Sequence, residues 1–89
     1  LIKPQFEAGK DKVGKKGVVR DPAVHEEVLQ NFISLAKSLD FTIRNLTFSP
    51  VKGPEGNIEF LAHLSLQPGD DSYPLPGDLV AQAHAALKG

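Results

Sequence analysis

Lys3 and Glu59 are the residues of this sequence whose types and positions could carry proton chemistry. Lys3 follows the apolar pair Leu1–Ile2 and precedes Pro4, which cannot donate a ladder hydrogen bond and so closes a strand. Glu59 stands at the start of "IEFLAHLSL", the most regular alternation in the chain. Ligands of open α/β sheets bind beyond the carboxyl ends of the parallel strands. An antiparallel strand begins on that same rim, so topology alone can bring Lys3 and Glu59 to one edge. If their strands are neighbours, the backbones lie about 4.8 Å apart and a lysine–glutamate contact is within reach. Such a pair can steady developing negative charge or handle a proton. It can equally be an ordinary rim ion pair worth about 0–1 kcal/mol, and spacing alone favours that simpler account.

A second candidate is electrostatic. "GKDKVGKKGVVR" carries Lys10, Lys12, Lys15, Lys16 and Arg20 against one acid, Asp11, in a chain of net charge −1. A basic block of this kind suits an anionic partner, RNA or DNA phosphate first. The competing account is a solvated loop. The other constellations are weaker. His25, His63 and His84 fall on different elements without metal-ligand spacing, and no metal is assigned. Ser49 lacks a nucleophile-elbow pattern. "GPEGN" precedes a strand, whereas a phosphate-binding glycine loop opens a helix.

These residues depend on a small set of elements. Leu1 to Lys3 reads as the end of a buried strand, followed by a glycine- and lysine-rich loop from about Glu7 to Arg20. "DPAVHEEV" starts a helix, with Asp21 as N-cap, Pro22 in first position, and Glu26 and Glu27 near the positive end of the dipole. Apolar residues from Val24 to Leu39 recur at helical spacing, which predicts a helix to about Ser38 or Leu39. A strand is expected from about Phe41 to Phe48, with Phe41, Ile43 and Leu46 apolar. After a turn, a strand from Ile58 to Leu66 should place Ile58, Phe60, Ala62, Leu64 and Leu66 on one face. Asp78 is expected to cap a final helix ending near Leu87. The first crossover suits a right-handed parallel connection, and the short turn makes the last two strands antiparallel. So thin a sheet predicts that its remaining strands lie outside these residues.

The 89 residues amount to one small domain or part of one. Cysteine is absent, which excludes disulfides and thiolate metal sites and fits a reducing compartment. No apolar run approaches the roughly 18 residues of a membrane-spanning helix. The expected location is cytoplasmic.

"LIKPQFEAGKDKVGKKGVVRDPAVHEEV", followed by "LTFSPVKGPEGNIEFLAHL", closely resembles the TlyA, or hemolysin A, family of RNA methyltransferases over residues 1 to about 66. The resemblance implies an α/β fold: part of a Rossmann-like class I methyltransferase domain of FtsJ-like type, dependent on S-adenosyl-L-methionine (SAM). Residues 1–89 would supply its last three strands, the final one antiparallel and inserted, plus two helices. The SAM-binding half and a small RNA-binding domain would lie upstream of Leu1, so no cofactor-binding residue is assigned here. The family's Lys–Asp–Lys–Glu tetrad for ribose 2′-O-methylation maps its second lysine onto Lys3, as catalytic residue, and its glutamate onto Glu59, as positioner. That implication outweighs the ordinary ion pair. The expected partner is rRNA or a ribosomal subunit, with Lys10, Lys12, Lys15, Lys16 and Arg20 on its phosphates. These residues alone are expected to be inactive, and to self-associate or pair with the rest of the domain. Two other classes stay open: a non-catalytic RNA-binding or assembly module, and a membrane-lytic hemolysin. The charges of the long helix, Glu26, Glu27 and Lys37, do not make the basic amphipathic face that lysis uses.

Overall fold

Pro4 does more than end a strand. In the computed structural model, which describes residues 1–14 and 16–88, it takes the first position of a short helix, α1 (Pro4–Glu7), with Lys3 as its extended N-cap. The missing proline N–H is one that no helix start would use. A single 3₁₀ turn at Lys10–Lys12 interrupts the loop that follows.

Helix α2 (Pro22–Ser38) forms as its sequence predicts, with Asp21 Oδ1 accepting from the Ala23 amide at 2.9 Å and Pro22 in first position. It ends in a Schellman closure. Phe41 N–H reaches the Ala36 carbonyl and Asp40 N–H the Lys37 carbonyl, both at 3.0 Å, while Asp40 takes a left-handed conformation with φ 64°.

The strands β1 (Thr42–Phe48) and β2 (Phe60–Ser65) pair antiparallel. On the other side of β2, Ile2 and Phe60 exchange both backbone hydrogen bonds, at 2.6 and 2.9 Å, in an antiparallel bridge. The last strand in sequence therefore lies between the first segment and β1, as an inserted final strand requires.

A bulge corrects the alternation expected in β1. The register shifts between Ile43 and Asn45, so Arg44 is the extra residue. Ile43 and Leu46, three apart, consequently both enter the core. The outer edge of β1 is covered at Ile43: Asp71 Oδ1 accepts from Ile43 N–H at 2.9 Å, and Ser72 N–H donates to the Ile43 carbonyl at 2.8 Å. Lys37 of α2 holds the other oxygen of Asp71, which keeps that carboxyl below its ordinary range. At Ile43, therefore, both backbone groups of that edge are already paired and unavailable to another strand.

Two further expectations change. The final helix α3 (Pro76–Ala86) has Leu75 as N-cap and Pro76 in first position, so Asp78 lies within the first turn rather than at the cap. Leu66 is 73% exposed, because β2 ends at Ser65 and releases the next side chain from the core face.

The core is the layer between the sheet and the α2–α3 pair. Leu29, Ile43, Leu46, Phe60, Leu79 and Ala83 are all essentially inaccessible to solvent. Burying a side chain the size of Leu or Phe contributes about 1.5–3 kcal/mol, so this one layer outweighs any surface ion pair. Among the described residues, no helix is long and apolar enough to cross a membrane.

Candidate active site

The Ile2–Phe60 bridge sets the register of the rim. With Ile2 opposite Phe60, Lys3 falls opposite Glu59, so the two residues are cross-strand neighbours. Their charged ends do not meet. Glu59 is 6% exposed and accepts from Gln5 Nε2 at 2.8 Å, while the Lys3 ammonium stands 5.6 Å from the centroid of the Phe6 ring. The turn into α1 is the reason: it brings Gln5 back over Glu59 and carries Phe6 beneath the lysine. Gln5 Oε1 is buried and has no hydrogen-bond donor among the described residues.

Gly53 explains how a carboxylate can be buried here. A Cβ on Gly53 would stand 2.5 Å from Glu59 Cδ and 2.8 Å from Oε1, well inside contact distance. Its φ of −78° is open to any residue, so glycine is required by the approach of Glu59 and not by backbone conformation. Sequence reasoning read this glycine only as part of a turn.

Asn57 joins that turn to the basic loop. The residue is 2% exposed, and its side chain is fully used. Oδ1 accepts from Val19 N–H at 3.0 Å, and Nδ2 donates to the carbonyls of Gly17 and Pro54, both at 2.9 Å. The loop therefore leaves the same rim as Lys3 and returns to it beside Glu59. Lys10, Lys16 and Arg20 are exposed along it. Lys12 instead pairs with Glu27 at 2.6 Å, so part of its charge is already answered. Lys15 lies outside the described residues.

The histidines were expected on separate elements, and His25 and His84 are, yet the fold brings their rings together. His25 is wholly buried, with Nδ1 2.7 Å from His84 Nε2 and Nε2 2.9 Å from the Val19 carbonyl. A carbonyl only accepts, so His25 Nε2 carries hydrogen, and neutral His25 then accepts from His84 Nε2–H. Burial pushes the His25 pKa below its ordinary 6.5, with the charge of a protonated His84 acting in the same direction; the Val19 carbonyl and Asp21 oppose it. Because the folded value is depressed, the unfolded chain binds the proton more readily. The contribution of His25 is complete above about pH 6.5 and is lost as pH falls toward the folded value, with a slope of at most about 1.4 kcal/mol per pH unit. Denaturant midpoints between pH 7.5 and 5.5 should drop more steeply for the unaltered protein than for His25→Gln; equal slopes would contradict this account.

Comparison with known proteins follows the same boundaries. The FtsJ-like methyltransferase family matches residues 1–66. YqxC of Bacillus subtilis, assigned as an rRNA methyltransferase, is 47% identical over 93 residues, covering 99% of this chain and 33% of that protein. TlyA of Mycobacterium tuberculosis, named a 16S/23S rRNA (cytidine-2′-O)-methyltransferase, is 39% identical over 67 residues, covering 75% of this chain and 25% of its own length. The solved structure of a protein from Streptococcus thermophilus named a hemolysin superposes with a TM-score of 0.83 at 43% identity, over 97% of this chain and 32% of that one. The chain thus spans a quarter to a third of the length of these relatives.

Proposed function

The chain belongs to the FtsJ-like methyltransferase family, and from that premise we propose that it forms the acceptor side of a SAM-dependent rRNA ribose 2′-O-methyltransferase. The observation that carries the reading is the rim itself: a lysine opposite a buried glutamate, with the carboxylate held by Gln5 and fitted against Gly53. A buried carboxylate without a cation is costly. Its retention opposite a lysine whose ammonium rests on Phe6 is accounted for if the two act together on a substrate.

SAM, when bound, supplies a methyl group already activated by its sulfonium. The glycine-containing turn Gly53–Gly56 leads toward β2 and not into a helix, so this turn does not build a cradle for the cofactor. We place that cradle, with the rest of the domain and its RNA-binding part, outside these 89 residues; these residues alone would then be inactive and would associate with the remainder. The setting is cytoplasmic.

A ribose hydroxyl is a poor nucleophile at neutral pH, so the acceptor side must hold it in line and ease its proton away. The Lys3 side chain, turning from Phe6 toward Glu59, would place its ammonium between the carboxylate and the orphan Gln5 Oε1. There it stabilises the alkoxide that develops on the 2′ oxygen as the hydroxyl proton passes to solvent water. Glu59 orients the ammonium and balances its charge, and Gln5 fixes the carboxylate. Lys10, Lys12, Lys15, Lys16 and Arg20 would hold phosphates of the same strand.

The test is transfer of labelled methyl from SAM to undermethylated rRNA by the protein, with the product nucleoside identified. A 2′-O-methylated ribose is expected. Methylation on a base, or none despite SAM binding, would refute the reading.

A further inference from the structure

A cavity of about 240 Å3 lies on the α2–α3 side of the rim, apart from Lys3. Arg20 from the end of the basic loop, Lys52 from the turn after β1, and His84 and Lys88 from the α3 end line it, with no carboxylate side chain among its described walls. The chain as a whole has 11 acidic residues against 10 lysines and arginines, so this is a local separation of charge. Arg20 and Lys88 take part in neither ion pair found among the described residues. Arg20 and Lys88, beside a concavity whose described walls hold no carboxylate side chain, raise the local potential, which a bound anion relieves.

The walls are built, not merely basic. Val19 is held on both sides, its N–H by Asn57 and its carbonyl by His25. His25 in turn holds the ring of His84 through Nε2, and the other ring nitrogen of His84 makes no hydrogen bond among the described residues. The carboxyl end of α3 also reaches this cavity, and its dipole opposes an anion with a partial charge of about half a unit. Arg20 and Lys88 bring whole charges against that fraction.

We infer that this cavity binds a phosphate group, a phosphodiester of the RNA strand away from the methylated nucleotide. The inference rests on the proposed reading as an RNA methyltransferase and extends its binding surface. Ile58, next to Glu59, lines the cavity, and Arg20 ends the basic stretch that begins at Lys10, so one strand could run from the acceptor site along the loop into it.

Inorganic phosphate and RNA share this chemistry, and the experiment separates them. Titration of the protein with inorganic phosphate should give saturable NMR shifts of the His84 imidazole and the Arg20 guanidinium, with the imidazole shift abolished in an Arg20→Gln/Lys88→Gln double variant. Both side chains are exposed, and circular dichroism checks that the variant keeps its fold. RNA binding measured against salt should show the log–log slope of the double variant reduced by about 1, because one phosphate is no longer neutralised by the protein. Phosphate shifts with an unchanged RNA slope would mean a site for a free anion and overturn the RNA assignment. Neither shifts nor a change in slope would overturn the site altogether. A protein that binds RNA in this way but methylates no ribose would refute the proposed reaction and leave the cavity's assignment standing.

Discussion

Lys3→Ala is expected to lower methyl transfer to rRNA by about 10²–10⁴-fold, the range typical of losing a group that handles the reacting proton, while SAM affinity stays near that of the unaltered protein. The fold has little reason to suffer. Lys3 caps α1 through its backbone, whose carbonyl accepts from the amides of Phe6 and Glu7 at 3.0 and 3.1 Å, and its side chain makes no cap hydrogen bond. What alanine removes is the ammonium opposite Glu59. Lys3→Arg separates two modes of action. A guanidinium keeps the positive charge but does not give up a proton near neutral pH. Partial activity in arginine would mean that charge stabilisation dominates, and activity as low as in alanine that the lysine must accept the proton. Labelled-methyl incorporation, with SAM binding measured by calorimetry, reads both quantities. Turnover by Lys3→Ala close to that of the unaltered protein would remove Lys3 from the reaction.

The second large effect is expected at a residue that does no chemistry. Asn57→Ala deprives the buried Val19 N–H of its acceptor. It also releases the Gly17 and Pro54 carbonyls, whose residues are exposed enough to find water. An orphaned buried donor costs about 1–3 kcal/mol, which lowers the melting temperature by about 4–8 °C per kcal/mol in a domain of about 60–100 residues and about 2–4 °C in one of about 150–250. Asn57→Asp is the informative comparison, since it keeps the acceptor for Val19 but cannot donate to either carbonyl. It should unfold at least as early as alanine, because its ionised carboxylate would be buried with one oxygen facing the two carbonyl oxygens. The same substitutions free the basic loop from the rim, so RNA affinity should fall in the same order as stability. A melting temperature for Asn57→Ala within a degree or two of the unaltered protein would show that this asparagine does not hold the loop.

Both predictions join a feature legible in the sequence to one that is not. Lys3 and Glu59 stand out as residues because each lies at an end of a recognisable strand; that those ends are neighbours is implied by the family resemblance alone and is shown by the Ile2–Phe60 bridge. Their actual partners, Phe6 for one and Gln5 for the other, depend on the direction in which α1 leaves the rim. The basic loop is visible as composition. That Lys12 is engaged by Glu27 while Arg20 opens onto a cavity depends on how α2 lies beneath the loop. Asn57 and Gly53 both sit in a stretch that reads simply as a turn; the only sequence signal for them is their position just before Glu59.

By itself the sequence determined the elements whose causes are local: the Asp21–Pro22 start of α2, the apolar stripe that carries it to Ser38, the alternation from Ile58 to Leu64, and the family to which the chain belongs. Each depends on residues a few positions apart or on a specific run of side chains. The tertiary structure decided the rest. It placed the bulge at Arg44, which puts Ile43 and Leu46 on one face because β2 and the α2–α3 layer demand both. It brought His25 to His84, and it closed Gly53 over Glu59. These contacts form between elements, where the free energy of the packed layer exceeds any local preference, and a pattern read along the chain carries no record of the distance across it.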